Sequence, residues 1–148
     1  MRLVIGGDHA SPELKAALVE HLEARGHQVT DLGTHSTDST DYPRWGQLVG
    51  EAVIRGDAEA GIAICGTGVG ISIAANKVRG VRAACVSEPF SAQMAKRHNN
   101  ANVLALGARV VGVDLAKMIV DAWVDAEHEG GRHSHRVSLI TELDADYR

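Results

Sequence analysis

The sequence is poor in aromatic residues and cysteines, and each shortage excludes a class of structure. Aromatic residues make up 3% of the 148 residues, so the hydrophobic core must be built from Val, Ile, Leu and Ala, which suits parallel strands covered by helices. The two cysteines, Cys65 and Cys85, cannot form a disulfide framework and do not have the spacing of a metal site. Each thiol therefore needs its own interpretation.

Long hydrophobic runs and an excess of positive charge are also absent. No apolar run approaches the roughly 18 residues of a membrane-spanning helix, and the first residues lack the long apolar region of a signal peptide. The formal net charge of −4 argues against non-specific nucleic-acid binding, which needs a broad basic face. We therefore expect a cytoplasmic protein that contacts neither membranes nor nucleic acids.

What is present is the composition of one globular unit, with apolar runs that alternate with helical patterns. Hydrophobic residues make up 45% of the chain and charged residues 23%, so we treat residues 1–148 as a single domain. Strands are predicted over residues 3–7, 28–32, 60–65, 81–86 and 102–106, and helices over residues 11–26, 43–56, 69–76, 88–98 and 115–128. Strict alternation predicts an α/β protein, a doubly wound sandwich of about five parallel strands with helices on both faces. The charged, partly apolar segment 130–148 is predicted to form a last helix that packs on a partner subunit.

Polar residues follow three of the predicted strands, at the edge where α/β proteins bind their ligands. Asp8 and His9 come after the first strand, the segment Cys65–Gly70 after the third, and Arg109 just after the fifth. Because carboxyl ends of parallel strands share one edge of the sheet, we expect these three groups to lie close together.

The loop Gly66-Thr67-Gly68-Val69-Gly70 has three glycines in five positions. Its amides can point inward and bind an anion at the start of a helix. It matches neither the Walker pattern nor the dinucleotide fingerprint. A tight turn without function is the competing interpretation.

The two cysteines are interpreted differently. Cys65 ends a buried strand directly before the glycine loop, where amide dipoles would favour a thiolate, and this setting indicates a reactive thiol. Cys85 lies inside a predicted strand and is expected to be a small buried hydrophobic residue without a catalytic role.

A further polar cluster lies later in the chain. His98 and Asn99 end the fourth predicted helix, while Arg132 and Arg136 are four residues apart, on one helical face, in a spacing suited to phosphate. A solvated basic turn is the simpler alternative for the arginines. A metal site at His133 and His135 is a weaker one, because the sequence shows no carboxylate support nearby.

Taken together, these motifs resemble the ribose-5-phosphate isomerase B family, which also includes isomerases of allose, galactose and tetrulose phosphates. The resemblance covers nearly the whole chain. It rests on Gly7-Asp8-His9, Asp41-Tyr42-Pro43, Cys65–Ser72, Ala74-Ala75-Asn76-Lys77, Arg97-His98-Asn99, and Gly130–His133 with Arg136. One branch of the family uses a glutamate after the glycine loop as base, and the other a cysteine before it. Since Ile71 stands near the glutamate position and Cys65 is present, the chain resembles the cysteine branch.

The resemblance implies a Rossmann-like sandwich that needs no metal or organic cofactor and forms a homodimer, or a dimer of dimers, with shared active sites. It implies a phosphosugar substrate, ring opening by His98 aided by Asp8 or Thr67, and an enediolate formed by Cys65 as base. The remaining implied contacts to the substrate come from His9, Tyr42, Gly66, Gly68, Val69, Gly70, Asn99, Arg109, Arg132 and Arg136.

Two alternatives stay open at this point. One is an isomerase for another phosphosugar, such as allose 6-phosphate, galactose 6-phosphate or a tetrulose phosphate, because the carbon number depends on pocket depth. The other is a nucleotide-binding regulatory module that uses the glycine loop without catalysis. It leaves Cys65, His98 and the two arginines without a common explanation.

Overall fold

Eleven helices and strands follow one another in a computed structural model that describes residues 1–147. The strands are β1 (Arg2–Gly7), β2 (Gln28–Asp31), β3 (Ala60–Cys65), β4 (Ala83–Cys85) and β5 (Val103–Gly107). The helices are α1 (Pro12–Ala24), α2 (Tyr42–Ile54), α3 (Val69–Ala75), α4 (Pro89–Asn99), α5 (Val113–Val124) and α6 (Arg132–Asp146). No helix within residues 1–147 is both long enough and apolar enough to cross a membrane.

The five strands form one sheet in the order β2-β1-β3-β5-β4. Every neighbouring pair is parallel, with Leu3 opposite Ala60 and Cys65 opposite Gly107. The chain moves outward from β1 to β2 and then returns to the other side of β1, so its direction of winding reverses between β1 and β3. The predicted α/β class and number of strands are confirmed.

Alternating side chains of the central strands divide the core into two layers. Ile62 and Ile64 pack with the apolar residues of α1, α4 and α5. Ala63 and Cys65 face the opposite way and pack with those of α2 and α3. Each fully buried aliphatic side chain contributes about 1.5–3 kcal/mol, so both faces of β3 stabilise its position, and with it the position of Cys65.

Helix α5 ends four residues before its predicted end, and β4 is half as long as predicted. The last buried residues of α5 are Trp123 and Val124, and the following segment turns back through Gly130 and Gly131, both at positive φ. The apolar stripe that stabilises an amphipathic helix stops at Val124, which explains the early end.

Helix α6 lies outside both layers. His133 is its one buried residue within the described range, whereas Leu139, Ile140 and Leu143 are about half exposed. A carboxylate oxygen of Asp144 accepts a hydrogen bond from the Gly80 N–H at 2.9 Å, which attaches the far end of α6 to the rest of the chain. The apolar face of α6 is thus left largely uncovered within one chain.

Candidate active site

The carboxyl edges of β1 and β3 meet where the winding of the sheet reverses, the usual place for a ligand crevice. The Asp8 N–H donates to the carbonyl of Ile64 at 3.1 Å, and the Asp8 side chain is 6% exposed. A Cβ atom on Gly7 would come within 2.4 Å of the Ile64 carbonyl oxygen. Only glycine therefore allows the loop after β1 to approach β3 this closely.

The thiol of Cys65 lies at the start of the glycine loop. Its side chain is 4% exposed, and its Sγ accepts a hydrogen bond from the Gly68 N–H at 3.1 Å. Gly68 has a φ of 80°. This is a left-handed backbone conformation, which residues other than glycine adopt only at a cost in free energy. This conformation turns the amide inward, as the sequence predicts, and directs it at the sulfur.

The end of β5 supports the glycine loop from the other side. The Ala108 N–H donates to the Cys65 carbonyl at 2.8 Å, and the Arg109 N–H to the Gly66 carbonyl at 3.0 Å. A guanidinium nitrogen of Arg109 lies 3.2 Å from the position a Cβ of Gly66 would occupy. The exposed Arg109 side chain therefore lies over the loop and places a positive charge at this edge.

Three further predicted residues lie at the same edge. The Nδ1 atom of His9 accepts a hydrogen bond from the Thr40 N–H at 3.1 Å. The ring of Tyr42 lies 2.7 Å from where a Cβ of Gly70 would be, so the aromatic ring packs directly on the glycine loop. Thr67 is exposed, and its Oγ1 accepts from the Val69 N–H at 3.3 Å. The structure thus brings together the predicted site residues that follow β1, β3 and β5.

The prediction that Cys85 is a buried residue was wrong. It is exposed, not buried, because it ends the short edge strand β4 and its thiol points into the glycine loop. Its Sγ lies 3.0 Å from the position a Cβ of Gly68 would take and donates a weak hydrogen bond to the Thr67 carbonyl at 3.8 Å. The thiol is nonetheless partly covered by the loop; this desolvation raises the pKa of Cys85, and the charge of Cys65 raises it further.

Ile71, the residue near the expected glutamate position, is fully buried in the layer between α3 and the sheet. A side chain at this position therefore packs in the core and does not face the loop. Val69, which begins α3 and is 53% exposed, is the residue of this helix turn that faces outward.

His98 and Asn99 lie at the opposite edge of the sheet. Helix α4 begins after the carboxyl end of β4 and runs back, so its 11 residues carry the chain about 16 Å toward the amino edge. The Arg82 side chain, directly before β4, donates from Nε to the Asn99 carbonyl at 3.1 Å. One chain therefore does not bring His98 to Cys65.

Arg132 and Arg136 belong to this second group. Both are exposed residues of the first turns of α6, four residues apart as predicted. The start of α6 is attached to the end of α4, because the Glu129 N–H donates to the Arg97 carbonyl at 3.0 Å. The predicted site is thus divided into a cysteine half at the carboxyl edge and a histidine half at the end of α4.

Glu129 is a residue of the histidine half that the sequence did not indicate. One donor atom each from His98, Glu129 and His133 lies within 4.8 Å of the others, so a carboxylate does lie beside one of the histidines considered as metal ligands. The two rings are stacked with an angle of 4° between their planes. Since an imidazole lone pair lies in the plane of its ring, parallel rings do not converge on one ion.

A groove also lies on one face of the sheet. A cavity of about 390 Å³ between α2 and α3 is lined by Pro43, Gln47, Glu51, Ala74, Lys77 and Val78. None of these is a predicted site residue.

The sequence of this chain is similar to those of known sugar-phosphate isomerases. A model of the ribose/galactose isomerase family matches residues 3–140. Ribose-5-phosphate isomerase B of Escherichia coli (strain K12) is 54% identical over 143 residues, which cover 97% of this chain and 96% of that protein.

Solved structures show the same similarity. A ribose-5-phosphate isomerase B of Clostridium thermocellum superposes with a TM-score of 0.98 at 52% identity, covering all of both chains. The Mycoplasma genitalium ribose-5-phosphate isomerase B with bound ribulose-5-phosphate has a TM-score of 0.93 and 41% identity, covering 98% of this chain and 97% of that one.

Proposed function

This chain belongs to the ribose/galactose isomerase family, and on that premise we propose that it interconverts ribose 5-phosphate and ribulose 5-phosphate without a metal or organic cofactor. The observation that carries the proposal is the buried Cys65 thiol, hydrogen-bonded by the Gly68 amide at 3.1 Å beside Asp8 and the glycine loop. The strong similarity to ribose-5-phosphate isomerases B over nearly the full length supports this choice of substrate.

The first step of the proposed reaction opens the furanose ring. A base removes the proton from the C1 hydroxyl, the bond between C1 and the ring oxygen breaks, and the ring oxygen takes up a proton. We assign this exchange to His98, with Asp8 or Thr67 as the second group. No net charge is created, so one histidine and one polar partner suffice.

The second step moves a proton between carbons. The Cys65 thiolate takes the proton from C2, the electron pair forms the C1–C2 double bond, and charge collects on the carbonyl oxygen at C1. The same proton returns to C1, while a hydroxyl proton passes from O2 to O1. We assign stabilisation of the enediolate oxygen to amides of the loop Gly66–Gly70 other than that of Gly68, which donates to the Cys65 sulfur. A good donor of this kind contributes about 3–4 kcal/mol.

We propose that a homodimer completes the site. Cys65 and Arg109 of one copy would meet His98, Arg132 and Arg136 of the other, and His9 and the arginines would bind the phosphate. Three observations support this: the two halves lie at opposite edges of one chain, Leu139, Ile140 and Leu143 of α6 are exposed, and so are Val69, Ile73 and Phe90 near the cysteine half. Covering such apolar surface stabilises association.

A cytosolic location is part of the proposal. Cys65 and Cys85 are both free thiols, and a reaction that depends on a free thiol is suited to a reducing compartment.

The direct test is an isomerisation assay with four-, five- and six-carbon aldose phosphates, with and without EDTA. We expect the highest kcat/KM for ribose 5-phosphate and no effect of EDTA. A higher kcat/KM for another carbon number would replace the substrate but keep the reaction. Loss of turnover in EDTA that zinc restores would contradict the cofactor-free mechanism.

A further inference from the structure

Two histidine rings lie flat against each other where α4 ends and α6 begins. The ring centroids of His98 and His133 are 4.2 Å apart, and the ring planes differ by 4°. The His133 side chain is 9% exposed, whereas that of His98 is 39% exposed. One ring is therefore a fixed inner surface, and the other presents its outer face to the surroundings.

Glu129 and Arg97 hold the stack from one end. An oxygen of Glu129 lies 3.3 Å from Nε2 of His133 and 3.9 Å from Nε2 of His98. The other oxygen is paired with the Arg97 guanidinium at 2.5 Å. Both rings thus turn the same nitrogen toward one carboxylate, and that carboxylate is itself fixed by Arg97.

We infer that His133 is a positioning residue for His98, which it holds in the orientation needed to open the cyclic phosphosugar. The inference rests on the proposed function, because it assumes that His98 acts on the ring. A side chain in the last turn of a helix and more than a third exposed would otherwise sample several rotamers. A group that exchanges protons with substrate must stay within a narrow range of distance and angle.

The charges around the stack are consistent with this role. Burial lowers the pKa of His133, and the nearby charges of His98, Arg132 and Arg136 lower it further, against an opposing effect of Glu129. A lowered pKa favours the neutral ring, so His133 supports His98 with less positive charge against it.

The test is a double-mutant cycle with kcat/KM for ribose 5-phosphate as the readout. His133→Ala removes the ring, His133→Phe keeps a flat ring, and His98→Asn removes the residue that is positioned. We expect His133→Ala to lower kcat/KM about 10- to 100-fold, His133→Phe to keep most of the activity, and His133→Ala to cause no further loss in the His98→Asn background. A purely structural role would lower activity by the same factor in both backgrounds.

A spectroscopic readout reports on the ring itself. In ¹H–¹⁵N or ¹H–¹³C NMR spectra of the whole protein, the ring protons of His98 should lose their upfield ring-current shift in His133→Ala and retain it in His133→Phe. If His133→Ala does not fold, His133→Leu, which fills the space without a flat ring, must show the same loss of shift and activity.

The outcomes separate the inference from the proposed function. Wild-type kcat/KM in His133→Ala, or an equal loss in His133→Phe, overturns the positioning role while the role of His98 stands. An unchanged rate in His98→Asn instead overturns the proposed role of His98, whatever the His133 variants show.

Discussion

The backbone N–H of Gly68 donates a hydrogen bond to the Sγ atom of Cys65 across 3.1 Å. A donor directed at sulfur is suited to hold the Cys65 side chain in a fixed orientation, as a group that removes a proton from carbon must be held. The left-handed conformation of Gly68 aims this amide, and the packing of β3 on both faces holds the sulfur.

The first prediction separates the two cysteines. Cys65→Ala should lower kcat by 10²–10⁴-fold, the usual contribution of a proton-transferring side chain, with little change in phosphosugar affinity. Cys85→Ala is the matched control and should remain active, because its thiol touches the loop through a weak 3.8 Å hydrogen bond. Steady-state kinetics and calorimetric binding measure both quantities. If Cys65→Ala kept more than about a tenth of the wild-type rate, Cys65 would not be the base.

The second prediction concerns the divided site. Cys65→Ala and His98→Asn should each be nearly inactive, yet a mixture refolded together should recover about a quarter of wild-type activity, since half of the dimers are mixed and each has one intact site. The Cys65→Ala/His98→Asn double variant, mixed with either single variant, should restore nothing. Failure of the two single variants to complement would mean that both residues act within one chain, or that the active unit is a monomer.

The third prediction compares two glycines at positive φ. Gly26 has a φ of 91° and open space around its Cβ position, whereas a Cβ on Gly68 would come within 2.8 Å of the Leu106 backbone. Gly26→Ala should therefore cost about 1–2 kcal/mol of stability and leave turnover unchanged. Gly68→Ala should lower both the melting temperature and kcat/KM. Full activity in Gly68→Ala would show that the Gly68 amide does not matter for the reaction.

The fourth prediction uses the pKa of Cys85, which burial and the charge of Cys65 both raise. Removing that charge lowers the pKa, so a larger fraction of Cys85 becomes thiolate at a given pH and its alkylation accelerates. Iodoacetamide labelling of Cys85, followed by mass spectrometry, should therefore be faster in Cys65→Ser than in wild type. Serine is chosen because it keeps the shape of the cysteine. Equal rates would argue that Cys65 carries no charge that Cys85 senses.

The fifth prediction isolates ring opening. A four-carbon aldose phosphate cannot form a furanose, because the oxygen that would close the ring carries the phosphate. His98→Asn should therefore lower kcat/KM for ribose 5-phosphate far more than for the four-carbon substrate. Equal losses would mean that His98 positions the open chain or assists the enediolate. A change confined to KM would make it a binding residue.

Local pattern was enough to predict the α/β class and which polar residues lie at the carboxyl edge of the sheet. Runs of apolar residues identified each strand, and parallel strands place their carboxyl ends at one edge, so Asp8, Cys65 and Arg109 had to meet there. The glycines identified the loops after β1 and β3. The tight contact at Gly7 and the φ of 80° at Gly68 both require a residue without a side chain.

Tertiary structure alone decided the rest. An edge strand can expose a residue that its own hydrophobic pattern would bury, and this is why Cys85 reaches the glycine loop. Glu129 and His98 are 31 positions apart in the sequence, and no local periodicity relates them. Their contact depends on α4 running back across the sheet and α6 folding against its end. The same path separates His98 from Cys65, because a helix that returns between parallel strands must end at the edge opposite to the one where it began.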